Sequence, residues 1–339
     1  MKAYQIQSYD GLDGLIQTEI AEPTPPGSGQ VVVRVRAVSL NYRDLMILTG
    51  QYGGGNPPAG LIPLSDGAGE VSAVGAGVSR VKPGDRVAGI FFQDWLGGGI
   101  EVAHHKSALG GARNGMFAEY VTLSENGVVK LPEYFSFEEA ASLPCAAVTA
   151  WNGLVEQGHL FAGETVLLLG TGGVSMFALQ IAKMHGANVI ITSSSDDKLA
   201  RAKTLGADET VNYKTYPDWE KVVWNLTSKR GVDHVVEVGG PGTFEKSLAA
   251  AKHGGRIAQI GVLSDQGAKI SPLPILGKSL QINGIYVGSR TMFERLLTAF
   301  TVSQTRPIID RVFPFSEAKA AYAHLQSGAH FGKIVIMLD

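Results

Sequence analysis

The pattern of apolar and polar positions divides the chain into a β-rich part and a part in which strands and helices alternate. Up to about residue 125, strand-like runs such as QVVVRVRAVSL are separated by the turn sequences PTPPGSGQ, GGGNPPAG and VKPGDRV. From about Glu138 onward, amphipathic stretches separate most of six short apolar segments, which are ETVLLLG, NVIITSS, ETVNY, HVVEVG, RIAQIG and QINGIYVG. Alternation of this kind predicts a parallel, doubly wound sheet with helices on both faces.

The end of the chain adds one helical segment, RTMFERLLTAFTV, then SEAKAAYAHLQSG and a closing strand, GKIVIML. This tail is too short to bury a core of its own, so we expect it to return to the N-terminal domain. We therefore predict an α/β chain with a β-rich domain over residues 1–128, a doubly wound domain over 129–288 and a C-terminal return over 289–339.

Composition limits the classes of protein that fit this pattern. The chain has 339 residues, of which 45% are hydrophobic, and a net charge of −2, so neither disorder nor binding to nucleic acid or an anionic membrane is expected. Cys145 is the only cysteine, which excludes an intrachain disulfide and a structural zinc site of several thiolates. Met1 is followed by KAYQIQSYDG rather than by the apolar core of a signal peptide, so we expect a cytoplasmic protein.

One uncharged stretch, from Thr165 to Ala182, has about the length of a bilayer span. Glycines in its middle would weaken a membrane helix, so a strand, a tight turn and a buried helix are the better interpretation. Such a turn brings backbone N–H groups close to a pyrophosphate, and the helix N-terminus adds a partial positive charge. Ser175 stands at the third fingerprint position, where glycine or alanine is usual, and predicts slightly wider helix–strand packing. The turn residues predicted to bind a dinucleotide are Gly170, Thr171, Gly172, Gly173 and Val174.

The second strand of this domain indicates which nucleotide is bound. An NAD site usually places Asp or Glu about 20 residues after the first glycine, to hold the ribose 2′-hydroxyl. Here Ser193 and Ser194 lie at that point, and Lys198 follows. Serine hydroxyls and a lysine can bind a 2′-phosphate, which a carboxylate would repel. The alternative is that Lys198 is a solvated helix residue, but the pattern favours NADP(H).

The sequence resembles the medium-chain dehydrogenase/reductase superfamily, which includes zinc alcohol dehydrogenases and quinone reductases. The similarity runs nearly end to end through NYRD, DGAGEV, VKPGDRV, MFAEYV, LPCAAVTAWNGL, LLLGTGGVS, LGADETVNY and GKIVI. The resemblance implies a GroES-like catalytic domain and a Rossmann domain with a six-stranded parallel sheet.

The resemblance also shows which metal ligands this chain lacks. Zinc members carry a cysteine at the position of Asn41 and the histidine of a Gly-His-Glu run where residues 64–66 read Leu-Ser-Asp, whereas Cys145 matches a third ligand. A lone thiolate does not hold catalytic zinc. The adjacent His104 and His105 are poor substitutes, because neighbouring residues rarely converge on one ion, and we expect no metal. Cys145 is interpreted as a small buried hydrophobe rather than as a nucleophile.

The sequence is therefore most similar to the zinc-independent quinone reductase and enoyl reductase branch. Members of this branch share an Asn-x-x-Asp run followed by Gly-x-Tyr, matched here by Asn41, Asp44, Gly50 and Tyr52. A lysine and a tyrosine that grip the 2′-phosphate in the NADPH-using members match Lys198 and Tyr213. Thr149 and Lys333 match positions that flank the nicotinamide and the phosphates, and the remaining predicted nucleotide contacts are Gly261 and Val262.

The polar run NYRD would then supply hydrogen-bond donors where zinc relatives use a metal. When hydride adds to a quinone or an α,β-unsaturated carbonyl, negative charge develops on oxygen and needs a donor. Tyr52 matches the proton-donor position of enoyl thioester reductases, Asn41 offers its amide, and Tyr42 is the alternate donor. The alternative is that Tyr52 is a half-buried loop aromatic with no role in the chemistry. Asp44 is expected to fix the turn.

These observations predict an NADPH-dependent, zinc-independent oxidoreductase that reduces quinones or α,β-unsaturated carbonyl compounds. Two alternatives stay open: an alcohol dehydrogenase or carbonyl reductase of the same superfamily, and a redox-silent NADPH-binding protein. The partner is a small-molecule substrate. The resemblance also implies a homodimer, or a dimer of dimers, formed through the edge strand near residues 280–288.

Overall fold

The computed structural model describes residues 1–52, 59–261, 263 and 270–338, and it separates into two compact units. Unit 1 comprises Met1–Val148 and Gly288–Asp339, and unit 2 comprises Thr149–Val287. The strands are β1 Lys2–Ile6, β2 Leu15–Glu19, β3 Gln30–Ser39, β4 Asp66–Val74, β5 Arg86–Gly89, β6 Tyr120–Ser124, β7 Val128–Lys130, β8 Thr165–Leu169, β9 Asn188–Ser193, β10 Glu209–Asn212, β11 Val232–Glu237, β12 Ala251–Gln259, β13 Gln281–Gly284, β14 Ile309–Pro314 and β15 Lys333–Met337. The α-helices are α1 Tyr42–Leu48, α2 Val102–His105, α3 Phe137–Ala141, α4 Ala146–Trp151, α5 Gly173–Met184, α6 Asp196–Thr204, α7 Trp219–Leu226, α8 Pro241–Ala250, α9 Leu273–Gly277, α10 Arg290–Ser303 and α11 Ala318–Gln326.

The main sheet of unit 1 has the order β14-β15-β3-β4-β5-β7, with β6 also paired to β3. Strand β3 is rich in valine, and its β-branched side chains pack into a core with Phe117 and Tyr322. Because β3 runs antiparallel to β4 and to β15, its last residue meets both neighbours at one end of the sheet. Ser39 lies opposite Asp66 on one side and opposite Val335 on the other. This register brings the start of β4, the start of β15 and the entry to α1 together.

Unit 1 extends to Val148, whereas the sequence places its boundary at residue 128. The physical reason is that α3 packs on β3 and β4. The Ser39 hydroxyl also donates to the carbonyl oxygen of Ala141 over 2.8 Å. Strand β14, which the sequence pattern does not predict, pairs in parallel with β15. Its residues are mostly half-exposed or exposed, so they lack the apolar alternation that marks a strand.

Unit 2 contains the predicted six-stranded parallel sheet, in the order β10-β9-β8-β11-β12-β13. The fold class predicted from the sequence is therefore confirmed. The uncharged stretch from Thr165 forms β8, the glycine turn and most of α5. Across the described ranges, no helix has both the length and the apolar character needed to cross a membrane. Strand β13 ends at Gly284, four residues before the predicted end, and Val287 beyond it has a left-handed φ of 56°.

Candidate active site

The polar run after β3 forms a capped helix start. The backbone N–H of Asn41 donates to Asp44 Oδ2 over 2.7 Å, and the backbone N–H of Asp44 donates to the Asn41 carbonyl over 2.9 Å. These two bonds close the first turn of α1, so Asp44 fixes the turn, as the sequence predicts. Burial raises the pKa of the Asp44 carboxyl to about 6, although the neighbouring Arg43 acts in the opposite direction.

A buried ammonium group lies beside this helix start. Lys333, at the first position of β15, is 2% exposed, and its Nζ donates to Asn41 Oδ1 and to the Leu40 carbonyl, each over 2.7 Å. Asp66 Oδ2 lies 3.8 Å from the same Nζ. The resemblance implies that Lys333 flanks the nicotinamide and the phosphates; in the structure its ammonium contacts groups of unit 1.

Asp66 connects this ammonium to the other positions at which zinc relatives keep ligands. The Ser65 hydroxyl donates to Asp66 Oδ1 over 2.7 Å, and the backbone N–H of Cys145 donates to Asp66 Oδ2 over 3.1 Å. Leu64, just before them, is fully buried with a left-handed φ of 67°, a conformation that costs a non-glycine residue about 1 to 3 kcal/mol. Asn41, Ser65 and Cys145 are thus brought together, as the resemblance implies, around a lysine and a carboxylate.

The contact with Lys333 fixes the orientation of the Asn41 amide. An ammonium group can only donate hydrogen bonds, so the amide atom that it contacts is the oxygen. The two amide hydrogens on Nδ2 therefore lie away from Lys333. Nδ2 is buried and has no hydrogen-bond partner among residues 1–52, 59–261, 263 and 270–338. A buried donor without a partner is costly, and a water molecule or a ligand can satisfy it.

Tyr52 packs against a second buried cation. The Arg43 guanidinium carbon lies 4.8 Å from the centre of the Tyr52 ring and 4.6 Å from that of Phe91, and Arg43 Nη1 donates to the Leu109 carbonyl over 3.1 Å. Burial acts to lower the pKa of Arg43, but Tyr52 and Asp44 more than offset it, so the pKa is raised. Sequence reasoning missed Arg43 as a site residue, although it stands inside the NYRD run.

The two candidate tyrosines differ in their surroundings. Tyr42, at the first position of α1, is 46% exposed. Tyr52 is half-buried and packs against the core of unit 1. Tyr52 is therefore a half-buried loop aromatic in this structure, and its role as a proton donor stays a prediction.

Cys145, the candidate nucleophile, and His104 and His105, the candidate metal ligands, lie in surroundings that do not favour those roles. Cys145 is half-buried, whereas the sequence predicts a fully buried residue, and desolvation of its thiol raises the thiol pKa, which disfavours the thiolate. His104 accepts a hydrogen bond from the Glu101 backbone N–H over 2.9 Å and stacks on Trp95, while His105 meets the Phe92 ring edge-on. Within the part of the chain that the structure describes, no group of three or more His, Cys, Asp and Glu residues could hold a metal ion.

The predicted nucleotide-binding turn lies at the carboxyl end of β8 in unit 2. Gly170 has a φ of 71°, which only glycine adopts without strain, and Gly172 and Gly173 begin helix α5. Thr171 is buried, and Val174 is half-buried in the first helical turn. Ser175 is accommodated at the helix–strand crossing because its hydroxyl donates to the Leu169 carbonyl over 2.7 Å.

The residues predicted to select the nucleotide lie at the ends of the next two strands. Ser193 is the last residue of β9 and is buried, and its carbonyl accepts from the Tyr213 N–H over 3.0 Å, just after β10. Ser194 follows it, and Lys198 lies in the first turn of α6, half-buried. Tyr213 is 41% exposed. The sheet thus gathers Ser193, Lys198 and Tyr213 at its carboxyl edge.

Three further predicted contacts are more scattered. Gly261 follows β12, and a Cβ atom there would lie 1.8 Å from the Val238 carbonyl oxygen, so the position requires glycine. Thr149 is buried in α4. Val262 lies outside the described residues.

Comparison with known proteins agrees with this arrangement. Residues 27–133 match the family model of the alcohol dehydrogenase GroES-like domain, and residues 173–302 match that of the zinc-binding dehydrogenases. A zinc-type alcohol dehydrogenase-like protein of Schizosaccharomyces pombe is 44% identical over 97% of this chain and 96% of its own. A solved NAD-dependent alcohol dehydrogenase is 35% identical with a TM-score of 0.91, covering 100% of both chains. A quinone oxidoreductase of Pseudomonas syringae pv. Tomato DC3000 is 30% identical with a TM-score of 0.83, covering 99% of both.

Proposed function

The chain belongs to the medium-chain dehydrogenase/reductase superfamily of oxidoreductases, and on that premise we propose that it reduces quinones or α,β-unsaturated carbonyl compounds with NADPH and without zinc. The observation that carries this proposal is the buried Lys333 ammonium, which donates to Asn41 Oδ1 over 2.7 Å at the position of a zinc ligand in metal-dependent members.

The donor set at this place does not fit a catalytic zinc ion. Such sites use three protein ligands drawn from Cys, His, Asp and Glu. Cys145 is the only conventional ligand that remains at the three expected positions, and Asn41 and Ser65 occupy the others. The nearby Asp66 carboxylate already accepts from the Ser65 hydroxyl and the Cys145 backbone, and it lies beside Lys333. A second cation would have to displace the ammonium.

The residues of unit 2 fit a dinucleotide with a 2′-phosphate. The glycine turn and the N-terminus of α5 suit a pyrophosphate, and Ser193 stands where NAD sites place a carboxylate. Lys198 and Tyr213, at the same sheet edge, supply a cation and a hydroxyl for the phosphate. When bound, the reduced nicotinamide supplies the hydride. One relative is named as NAD-dependent, so the nucleotide has to be tested directly.

The residues of unit 1 supply the groups that handle charge on the substrate oxygen. The unpartnered Asn41 Nδ2 donates to the oxygen as negative charge develops, and Tyr52 donates its phenolic proton. The Arg43 guanidinium packs against the Tyr52 ring and holds it in position. Conjugated acceptors suit this set, because hydride adds to carbon and leaves a delocalised anion.

Oxidation of simple alcohols is the rival activity, and two of the relatives carry the words alcohol dehydrogenase in their names. An unconjugated carbonyl needs stronger polarisation, which zinc provides as a Lewis acid. The amide and phenol donors of this chain are weaker, so conjugated acceptors are favoured. A redox-silent NADPH-binding protein would need the nucleotide-binding residues of unit 2 but not the unpartnered Asn41 donor in unit 1.

The test is steady-state turnover of the purified protein with NADPH and NADH against quinones, enones, aldehydes and alcohols. We expect NADPH oxidation with quinones or enones at a kcat/KM well above that for aldehydes, and little rate with NADH. Preference for NAD and simple alcohols would establish the rival activity, and NADPH binding without turnover would establish the redox-silent protein.

A further inference from the structure

We propose that the buried Lys333 ammonium replaces the zinc ion of the metal-dependent relatives, and that it acts on the substrate through the Asn41 amide rather than on a cofactor phosphate. The inference rests on the proposed reductase function and assigns Lys333 as its main positioning residue.

The geometry supports action through Asn41. The ammonium holds Oδ1 at 2.7 Å, which leaves the buried Nδ2 as the unpartnered donor of the amide among the described residues. A cation on the amide oxygen draws electron density from the amide nitrogen, so it strengthens the N–H groups as donors. Lys333 is 2% exposed, and water therefore screens this effect little.

The surroundings keep the charge in place. Nζ also donates to the Leu40 carbonyl over 2.7 Å, and Asp66 lies 3.8 Å away. The Asp66 carboxylate is shared with Ser65 and Cys145, so it balances the ammonium without forming a close bidentate pair. Two of the three ammonium hydrogens are thus directed within unit 1, which argues against a role as a free phosphate clamp.

The same contacts would also suit a residue that only pins β15 to the end of β3. A residue with only this structural role contributes to the stability of the fold, whereas the proposed role of Lys333 also affects the rate of the chemical step. The two roles, and the cofactor-phosphate role, predict different changes in kcat, in NADPH affinity and in stability.

The first experiment compares Lys333→Gln and Lys333→Met with the wild type, using kcat at saturating NADPH and the NADPH dissociation constant from fluorescence titration. We expect kcat for quinones and enones to fall about 10- to 100-fold, less than the roughly 10²- to 10³-fold for outright loss of an oxyanion donor because the Asn41 amide remains, and the dissociation constant to stay nearly unchanged. An unchanged kcat overturns the proposal, whether or not NADPH affinity falls.

Lys278→Met is the matched control. The Lys278 ammonium donates to three backbone carbonyls, of Leu248, Ala249 and Ala251, and so caps the C-terminal end of α8. Its loss should lower the thermal unfolding temperature with no change in kcat. If Lys333→Met fails to fold, Lys333→Gln serves in its place, because glutamine keeps a hydrogen-bond donor. Lys333→Arg restores the positive charge and should recover part of the lost kcat.

A double-mutant cycle separates action through Asn41 from an independent effect. Asn41→Leu should cost about 10²-fold or more in kcat, and Lys333→Gln should cost little further in that background. Fully additive losses would contradict the proposal.

A readout without turnover distinguishes failure of this inference from failure of the proposed function. In protein labelled with ¹⁵N-asparagine, the Asn41 side-chain amide, assigned by its loss in Asn41→Leu, should shift when Lys333 becomes Gln. If the amide signal shifts but the protein reduces neither quinones nor enones, the proposed function is wrong and the contact between Lys333 and Asn41 is supported. If the wild type reduces these substrates but Lys333→Gln changes neither the amide signal nor kcat, only the inference about Lys333 is wrong.

Discussion

The guanidinium carbon of Arg43 lies 4.8 Å from the centre of the Tyr52 ring, so a buried cation faces the tyrosine that the sequence predicts as proton donor. This contact holds the half-buried Tyr52 ring in one position. Tyr42 is 46% exposed at the surface of α1. This difference favours Tyr52 as the donor.

Tyr52→Phe keeps the ring on Arg43 and removes only the hydroxyl. We expect a loss of about 10²- to 10⁴-fold in kcat for enones, which need a proton in step with hydride. Quinones should lose less, because their reduced oxygens are stable anions that water protonates later. NADPH affinity should hardly change. Tyr42→Phe is the control, and the assignment is wrong if it abolishes enone turnover while Tyr52→Phe does not.

Lys198→Ala tests the choice of nucleotide. We expect NADPH binding to weaken by about 1.5 to 3 kcal/mol, the range for hydrogen bonds to charged groups, and NADH binding to stay nearly the same. Lys203→Ala, exposed in the last turn of the same helix, is the matched control. Equal losses for both nucleotides in titrations would show that Lys198 does not meet the 2′-phosphate.

Asp44 predicts a pH dependence of stability. Burial raises its pKa from 3.8 to about 6, so the folded protein binds this proton more tightly than the unfolded chain. The contribution to stability is therefore present at low pH and is lost as pH rises toward and through about 6. It amounts to about 3 kcal/mol in all.

Asp44→Asn removes this titration and keeps an oxygen for the Asn41 N–H. Denaturant unfolding from pH 4.5 to 8 should show the wild type losing stability relative to this variant as pH rises. Asp197→Asn, at an exposed position in α6, should run parallel to the wild type. Parallel curves for Asp44→Asn as well would contradict the assignment.

The sheet edge at β13 predicts self-association. β13 ends the strand order of unit 2, and the preceding α9 exposes Leu273 by 72% and Leu276 by 79%. We expect light scattering at micromolar concentration to give a homodimer or a dimer of dimers. Leu276→Asp should shift this toward monomer, and Val302→Asp, also highly exposed, should not. A monomeric wild type would refute the prediction.

The sequence predicts the parts of the fold that depend on local pattern. Continuous apolar runs such as TVLLL give the parallel strands, and the glycine turn follows from the residues around Gly170. The NYRD run and Gly-x-Tyr, through the family resemblance, give Asn41 and Tyr52 as candidate site residues. The contact between Lys333 and Asn41 joins residues 292 positions apart, and no local pattern encodes the direction of a lysine side chain. The placing of Arg43 against Tyr52 likewise depends on tertiary packing.

The most direct test of the account measures zinc and NADPH-dependent quinone turnover on the same preparation, before and after dialysis against a chelator. With the Lys333 ammonium bonded to Asn41 and 3.8 Å from Asp66, we expect far less than one zinc per chain and a turnover number that the chelator does not change. About one tightly held zinc per chain, with turnover lost on its removal and restored on its return, would contradict the account.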